Sequence, residues 1–168
     1  EVRFSLAHVP DRRDGDWGNF ARGAVRALQQ QHVLRYGIQG VTAGRLDGGG
    51  LSSSAAIGVA LLLALEQANG LMVTAQENIA LDQAIENEYL GLRNGILDQS
   101  AILLSRRDQL TYIDCRTCEH ELIPPATSAG SPAILLAFSG LKRALVGTDY
   151  NQRVDECRAA ADALLRAL

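Results

Sequence analysis

Aromatic residues are scarce in this chain: one tryptophan, three phenylalanines and four tyrosines make up 5% of 168 residues. The 47% hydrophobic content must therefore build its core mainly from Leu, Ala, Ile and Val. Charge of one sign is also lacking. Sixteen basic and nineteen acidic residues leave a net charge of -3, which argues against nucleic-acid binding driven by bulk charge. No run of five like charges marks a disordered tail. The longest apolar run, Ala55 to Leu65, has 11 residues, against roughly 20 for a membrane span. The opening "EVRFSLAHVPDRRDGDWG" carries charges throughout and does not read as a signal peptide. Three cysteines, Cys115, Cys118 and Cys157, are an odd set that suits a reducing cytoplasm better than a disulfide framework. The length corresponds to about one domain.

What is present reads as alternating helices and strands. The first ten residues alternate weakly, as a strand end would. "DWGNFARGAVRALQQQ" predicts a helix capped by Asp16, with Phe20, Val25 and Leu28 on one face. "YGIQGVTAGRL" predicts a short strand. Ser52 to Ala68 predicts a helix, apolar almost all round and hence buried. "TAQENIALDQAIENEYLG" predicts another, with a capping box of Thr74 and Glu77 and a stop at Gly91. A shorter helix follows, with Asp98 in its first turn. "QLTYIDC" and "HELIPP" predict two strands joined by a turn. "SPAILLAFSG" predicts a buried central strand, and "YNQRVDECRAAADALLRAL" a final helix. Opening in mid-pattern and ending within a helix, the chain is expected to be a piece of a longer protein.

The segment "LDGGGLSSSAA" carries the clearest chemistry. Gly48, Gly49 and Gly50 let a ligand approach the backbone. The helix starting near Ser52 or Ser53 offers unpartnered amides and the positive end of its dipole. Phosphate is the natural ligand for that pairing, and the hydroxyls of Ser52, Ser53 and Ser54 add donors or a metal contact. GxxxxGK[ST] is absent, and so is GxGxxG with its acidic partner. Charge neutralisation must then come from a metal and from remote groups. Glu86, Glu88 and Asp98 are the nearby carboxylates. Glu86 and Glu88 are two apart and cannot share a helix face, so at most one points toward the loop. Asp98 lies among apolar residues, where an unpartnered carboxylate is costly. "CRTC" near His120 is only half a zinc pattern. It reads as a strand and turn, and the Arg106-Arg107-Asp108 cluster as a solvated turn.

Together, "GGGLSSSAA", "GLRNGILDQ", "YIDCRT" and "YNQRVDEC" resemble the sugar kinases of the GHMP superfamily, the galactokinase family most of all. The likeness runs from about Trp17 to the C-terminus. It implies an α+β fold of the GHMP type (like domain 2 of ribosomal protein S5), with a mainly antiparallel sheet. Residues 1–130 would form part of the N-terminal ATP-binding domain and residues 131–168 the start of the C-terminal one. The implied activity is ATP-dependent phosphorylation of the anomeric hydroxyl of galactose or a related sugar, galacturonate and arabinose included. By resemblance, Gly48, Gly49, Gly50, Leu51, Ser52, Ser53 and Ser54 wrap the ATP phosphates. Ser54 and Glu86 hold Mg²⁺, and Trp17 and Lys142 line the nucleotide pocket. Asp98 acts on the sugar C1 hydroxyl, Gly95 gives the sugar a backbone contact, and Tyr150 packs on the hexose. Cys115 matches a strand cysteine.

The chain departs from the family where Leu46 and Asp47 replace a proline and an apolar residue on the adenine side. It also lacks the family's N-terminal arginine-bearing signature and its second glycine-rich motif. The expected partners are ATP and a small sugar, with no nucleic acid and no membrane, in a cytoplasmic monomer. A non-catalytic sensor of ATP and sugar, another GHMP small-molecule kinase and a purely structural domain are the rival readings.

Overall fold

The computed structural model describes residues 1–44, 51–125, 133–137, 140 and 150–167. Five α-helices and one antiparallel hairpin make up its regular elements: α1 Asn19–Gln29, α2 Ser53–Asn69, α3 Ala75–Ala84, α4 Leu97–Leu104, β1 Leu110–Asp114, β2 Glu119–Ile123 and α5 Tyr150–Ala167. A π turn, Ile85–Tyr89, extends α3.

Helix α1 buries Ala24, Val25, Ala27 and Leu28 against Leu62 and Leu65 of α2, Leu81 of α3 and Ile85. This small, branched-chain core is what a sequence poor in aromatics can build. Gly23 permits the approach of α1 to the π turn, since a Cβ there would lie 2.9 Å from Ile85 Cγ2. Asp16 stands one step outside its expected role. Gly18 is the N-cap, without a side-chain bond. Asp16 instead accepts from Gly18 N at 2.9 Å and from the buried Arg22 guanidinium at 2.7 Å, closing the turn that precedes the helix.

The Thr74–Glu77 capping box forms in both directions, with Glu77 N donating to Thr74 Oγ1 at 3.2 Å and Thr74 N to Glu77 Oε2 at 2.7 Å. Gly70 ends α2 at φ +62°, a left-handed C-cap. A second apolar cluster, Ile79, Ile96 and Leu104, receives Ile113 of β1 and so anchors the hairpin to α3 and α4. The hairpin pairs Leu110 with Ile123 through Asp114 with Glu119.

Four expectations change. Residues 36–44 and 133–137 form no strand. Ile134 and Leu135 are exposed rather than central, because a strand needs a ladder partner and none of the described residues provides one. The first ten residues contribute only a Ser5–His8 bridge, although Phe4, Leu6 and Val9 pack on the core. Helix α2 is covered on one face only: Ala55, Gly58, Val59, Leu62 and Leu65 are buried while Leu63 is exposed. Among the described residues, no strand covers its outer apolar face. Finally, Cys115 lies in the turn after β1, not in the strand.

Candidate active site

The site begins where α2 begins. Ser52 is its N-cap, at φ 53°, ψ 31°, with no side-chain cap bond. A left-handed serine carries backbone strain of roughly 1–3 kcal/mol, a cost typical of functional turns. The first intrahelical bond runs from Ala56 N to Ser52 O at 3.0 Å. The amides of Ser53, Ser54 and Ala55 therefore precede the helical ladder, at the positive end of a 17-residue helix. Leu51 is exposed and Ser54 half-buried. Gly48, Gly49, Gly50 and Lys142 lie outside the described residues, as do Leu46 and Asp47.

The carboxylates stand on α3, the π turn and α4. A π turn adds a residue to the helical cycle, here with Leu90 N bonded to Ile85 O at 3.0 Å. It separates the two glutamates: Glu86 is fully buried and Glu88 exposed. Glu86 Oε2 accepts from Asn94 Nδ2, whereas its buried Oε1 has no partner among the described residues. Asp98 is half-buried in the first turn of α4.

Between them sits a residue that the sequence reading did not single out. Asp82 is fully buried, and neither carboxyl oxygen has a hydrogen-bond partner among the described residues. Burial, then the charges of Glu86 and Asp98, push its carboxyl up from 3.8 to about 8. Burial thus favours the protonated form of the Asp82 carboxyl, and Glu86 and Asp98 act on it in the same sense. Glu66, Asn78, Gln99 and Ser100 are also buried in this helical layer, with Asn78 Nδ2 donating to Glu66 Oε2 at 3.2 Å. The available sequence signal was the i, i+4 spacing of Asp82 and Glu86, which places them on one helix face.

The segment joining the π turn to α4 is held at almost every residue. Leu92 N donates to Glu86 O at 2.8 Å, Gln83 to Asn94 O at 3.4 Å and Gln99 to Gly95 O at 3.1 Å. Open space lies where a Gly95 side chain would stand. Tyr150 begins α5 and is partly exposed. Trp17 is half-exposed in the turn ahead of α1. Among the described residues, no hydrogen bond ties Trp17 or Tyr150 to Ser52–Ser54 or to Asp98.

The domain described as "GHMP kinases N terminal domain" matches residues 19–106, more than half of the chain. The chain belongs to the GHMP kinases. A galacturonokinase of Arabidopsis thaliana is 56% identical over 162 residues, which cover 94% of this chain and 38% of that protein. A galactokinase of Roseiflexus sp. (strain RS-1) is 35% identical over 165 residues, 98% of this chain and 41% of its own length. The crystal structure of Lactococcus lactis galactokinase complexed with galactose matches with a TM-score of 0.77 and 28% identity, over 98% of this chain and 42% of that one. The chain spans about two fifths of the length of the curated relatives it matches.

The GHMP α+β fold is thus present. Among the described residues, no group of three or more His, Cys, Asp or Glu side chains gathers as a metal site, and no helix is long and apolar enough to cross a membrane. A divalent cation of the Mg²⁺ class needs less: one or two protein oxygens, the rest coming from water and phosphate. The buried, half-satisfied Glu86 carboxylate fits that requirement, and Ser54 stands on the helix that packs against its turn.

Proposed function

We propose that this chain forms the nucleotide- and sugar-binding part of an ATP-dependent sugar kinase acting on the anomeric C1 hydroxyl. The carrying observation is the start of α2, where the left-handed Ser52 leaves the amides of Ser53, Ser54 and Ala55 ahead of the helical ladder, on the helix that packs against the turn burying Glu86. The higher identity to a galacturonokinase, 56% against 35% for a galactokinase, supports a hexuronic acid of the galacturonate type as the sugar.

In this reading, Gly48, Gly49, Gly50, Leu51, Ser52, Ser53 and Ser54 hold the ATP phosphates. Their amides and hydroxyls match anionic oxygens without a loop lysine. Trp17 and Lys142 line the nucleotide side. Glu86 and Ser54 would hold Mg²⁺, which would supply charge to offset that of the phosphates. Asp98 accepts or orients the C1 hydroxyl proton, Gly95 offers its backbone to the sugar, and Tyr150 packs on the ring. Positioning and electrostatics supply most of the rate in such transfers. Residues 1–130 would belong to the ATP-binding domain and 131–168 to the next, in a cytoplasmic, monomeric protein.

The test is a coupled phosphoryl-transfer assay on the full-length protein with ATP and Mg²⁺, offering galacturonate and galactose in parallel. Faster turnover of galacturonate supports the proposal. Turnover of galactose alone overturns the sugar class. ATP binding without transfer to either would favour the sensor reading.

A further inference from the structure

We propose that Asn151 is a positioning residue for phosphoryl transfer, its side-chain amide clamping the segment that carries Gly95 and leads into Asp98. The proposal rests on the sugar-kinase reading above and adds a residue to it.

The geometry is that of a strand neighbour reduced to one side chain. Asn151 Nδ2 donates to Gly91 O at 2.8 Å, and Asn151 Oδ1 accepts from Arg93 N at 2.9 Å. The two backbone groups are two residues apart, and a single planar amide satisfies both. Aspartate cannot donate, and glutamine adds a rotatable bond. One turn further along α5, Asp155 pairs with the Arg93 guanidinium, but both side chains are about half-exposed, so this ion pair adds little. Helix α5 is exposed along most of its length, with Asn151 and Val154 its half-buried residues. Its docking on this segment is therefore polar and local.

The clamp completes a pattern. From Leu90 to Gly95, the segment is fixed through Leu90 N, Gly91 O, Leu92 N, Arg93 N, Asn94 O and Gly95 O. The partners of Leu90, Leu92, Asn94 and Gly95 all come from α3, the π turn and α4. Only the bonds to Gly91 and Arg93 come from distant sequence, some 60 residues away. Gly91 stands at φ +75°, a region that glycine enters without steric cost but also leaves freely, so the clamp holds a point that the backbone itself does not fix. Asn151 also follows Tyr150 directly. One side chain thereby ties the start of α5, and with it Tyr150, to the segment that leads into Asp98. Displacement of a reacting group by about 1 Å costs on the order of a hundredfold in rate.

The experiment is steady-state kinetics of the full-length enzyme with ATP and the better of the two sugars, for wild type, Asn151→Ala and Asn151→Asp. Hydrogen exchange of the 90–98 peptide and calorimetric ATP binding complete the set. Asn151→Ala is expected to lower kcat roughly 10- to 100-fold, to speed exchange in 90–98 but not in α2, and to change ATP affinity less than about twofold. Asn151→Asp, nearly isosteric, keeps the acceptor for Arg93 N and should fall between the two. It carries the test if the alanine variant does not fold. Wild-type kinetics and exchange in both variants would overturn the clamp. So would a parallel loss of kcat, ATP affinity and melting temperature, which marks a merely structural residue. A wild-type enzyme that phosphorylates neither sugar would instead overturn the kinase reading on which the proposal rests.

Discussion

The Asp82 carboxyl occupies the space that a side chain at residue 58 would need: a Cβ built on Gly58 would lie 1.9 Å from Asp82 Oδ1. Helices α2 and α3 are thereby pressed together at a point with no side chain on one side. Gly58 sits in the middle of α2, where glycine costs about 1 kcal/mol relative to alanine. Its presence there is explained by the acid beneath it.

Gly58→Ala should destabilise the protein by about 1–3 kcal/mol, the usual range for overpacking a tight interface, despite the better helix propensity of alanine. Asp82→Ala should relieve the clash, so the double variant should be more stable than the sum of the two single losses predicts. Denaturant unfolding of the four proteins measures the coupling. Strict additivity would show that α2 and α3 separate freely.

Asp82 also sets a pH signature. Its carboxyl holds a proton up to about 8 when folded but only to about 3.8 when unfolded. Through that window folding takes up a proton, so this group's stability contribution is complete below about 4 and lost as pH rises through about 8. Glu66, raised by its own burial, acts in the same sense. Asp16, held down by the Gly18 amide and then Arg22, and Glu77, held down by the Thr74 amide and hydroxyl, act oppositely. Their contribution is present above their unfolded values and lost as pH falls through the folded ones. Asp82→Asn should flatten the stability profile between pH 5 and 8, as read from urea midpoints.

Ser54→Ala should weaken Mg²⁺-dependent binding of a non-hydrolysable ATP analogue more than metal-free binding, and Glu86→Gln should do the same. Calorimetry with and without Mg²⁺ reads the difference. An equal loss under both conditions would remove Ser54 from the metal site and leave it a phosphate donor.

Asp98→Asn in the full-length enzyme should lower kcat by about 10²- to 10⁴-fold, the range typical of a lost general base, with ATP affinity nearly unchanged. Surviving turnover would mean that Asp98 orients the sugar without handling its proton.

Thr74→Ala should cost about 1 kcal/mol of stability, since Thr74 supplies one half of a reciprocal cap at the start of the helix that carries Asp82. A thermal melt is sufficient, and no change would mean that packing alone holds that helix end.

Local chemistry was legible in the sequence. The Thr74–Glu77 box, the helix after the serine run, the hairpin from "QLTYIDC" to "HELIPP" and the placement of Asp98 in a first helical turn depend on neighbours within a few residues, and all are found. So was the family, because four short motifs occur in order at the family's spacing. The strands expected around residues 36–44 and 133–137 are not found. A β-strand exists only with a partner, and an alternating or apolar pattern carries no record of whether that partner lies within reach.

What only the tertiary structure decided is the depth of the charges. The spacing of Glu86 and Glu88 puts them on different faces, but only the packing shows that Glu86 is the buried one and Glu88 the exposed one. Asp82 looks like any polar residue on a helix until α2 packs over it with Gly58 facing its carboxyl. Asn151 reads as part of a helix start until α5 swings back across some 60 residues to hold Gly91 and Arg93. Burial and long-range hydrogen bonding depend on which surfaces meet, and the sequence specifies that only through the folded whole.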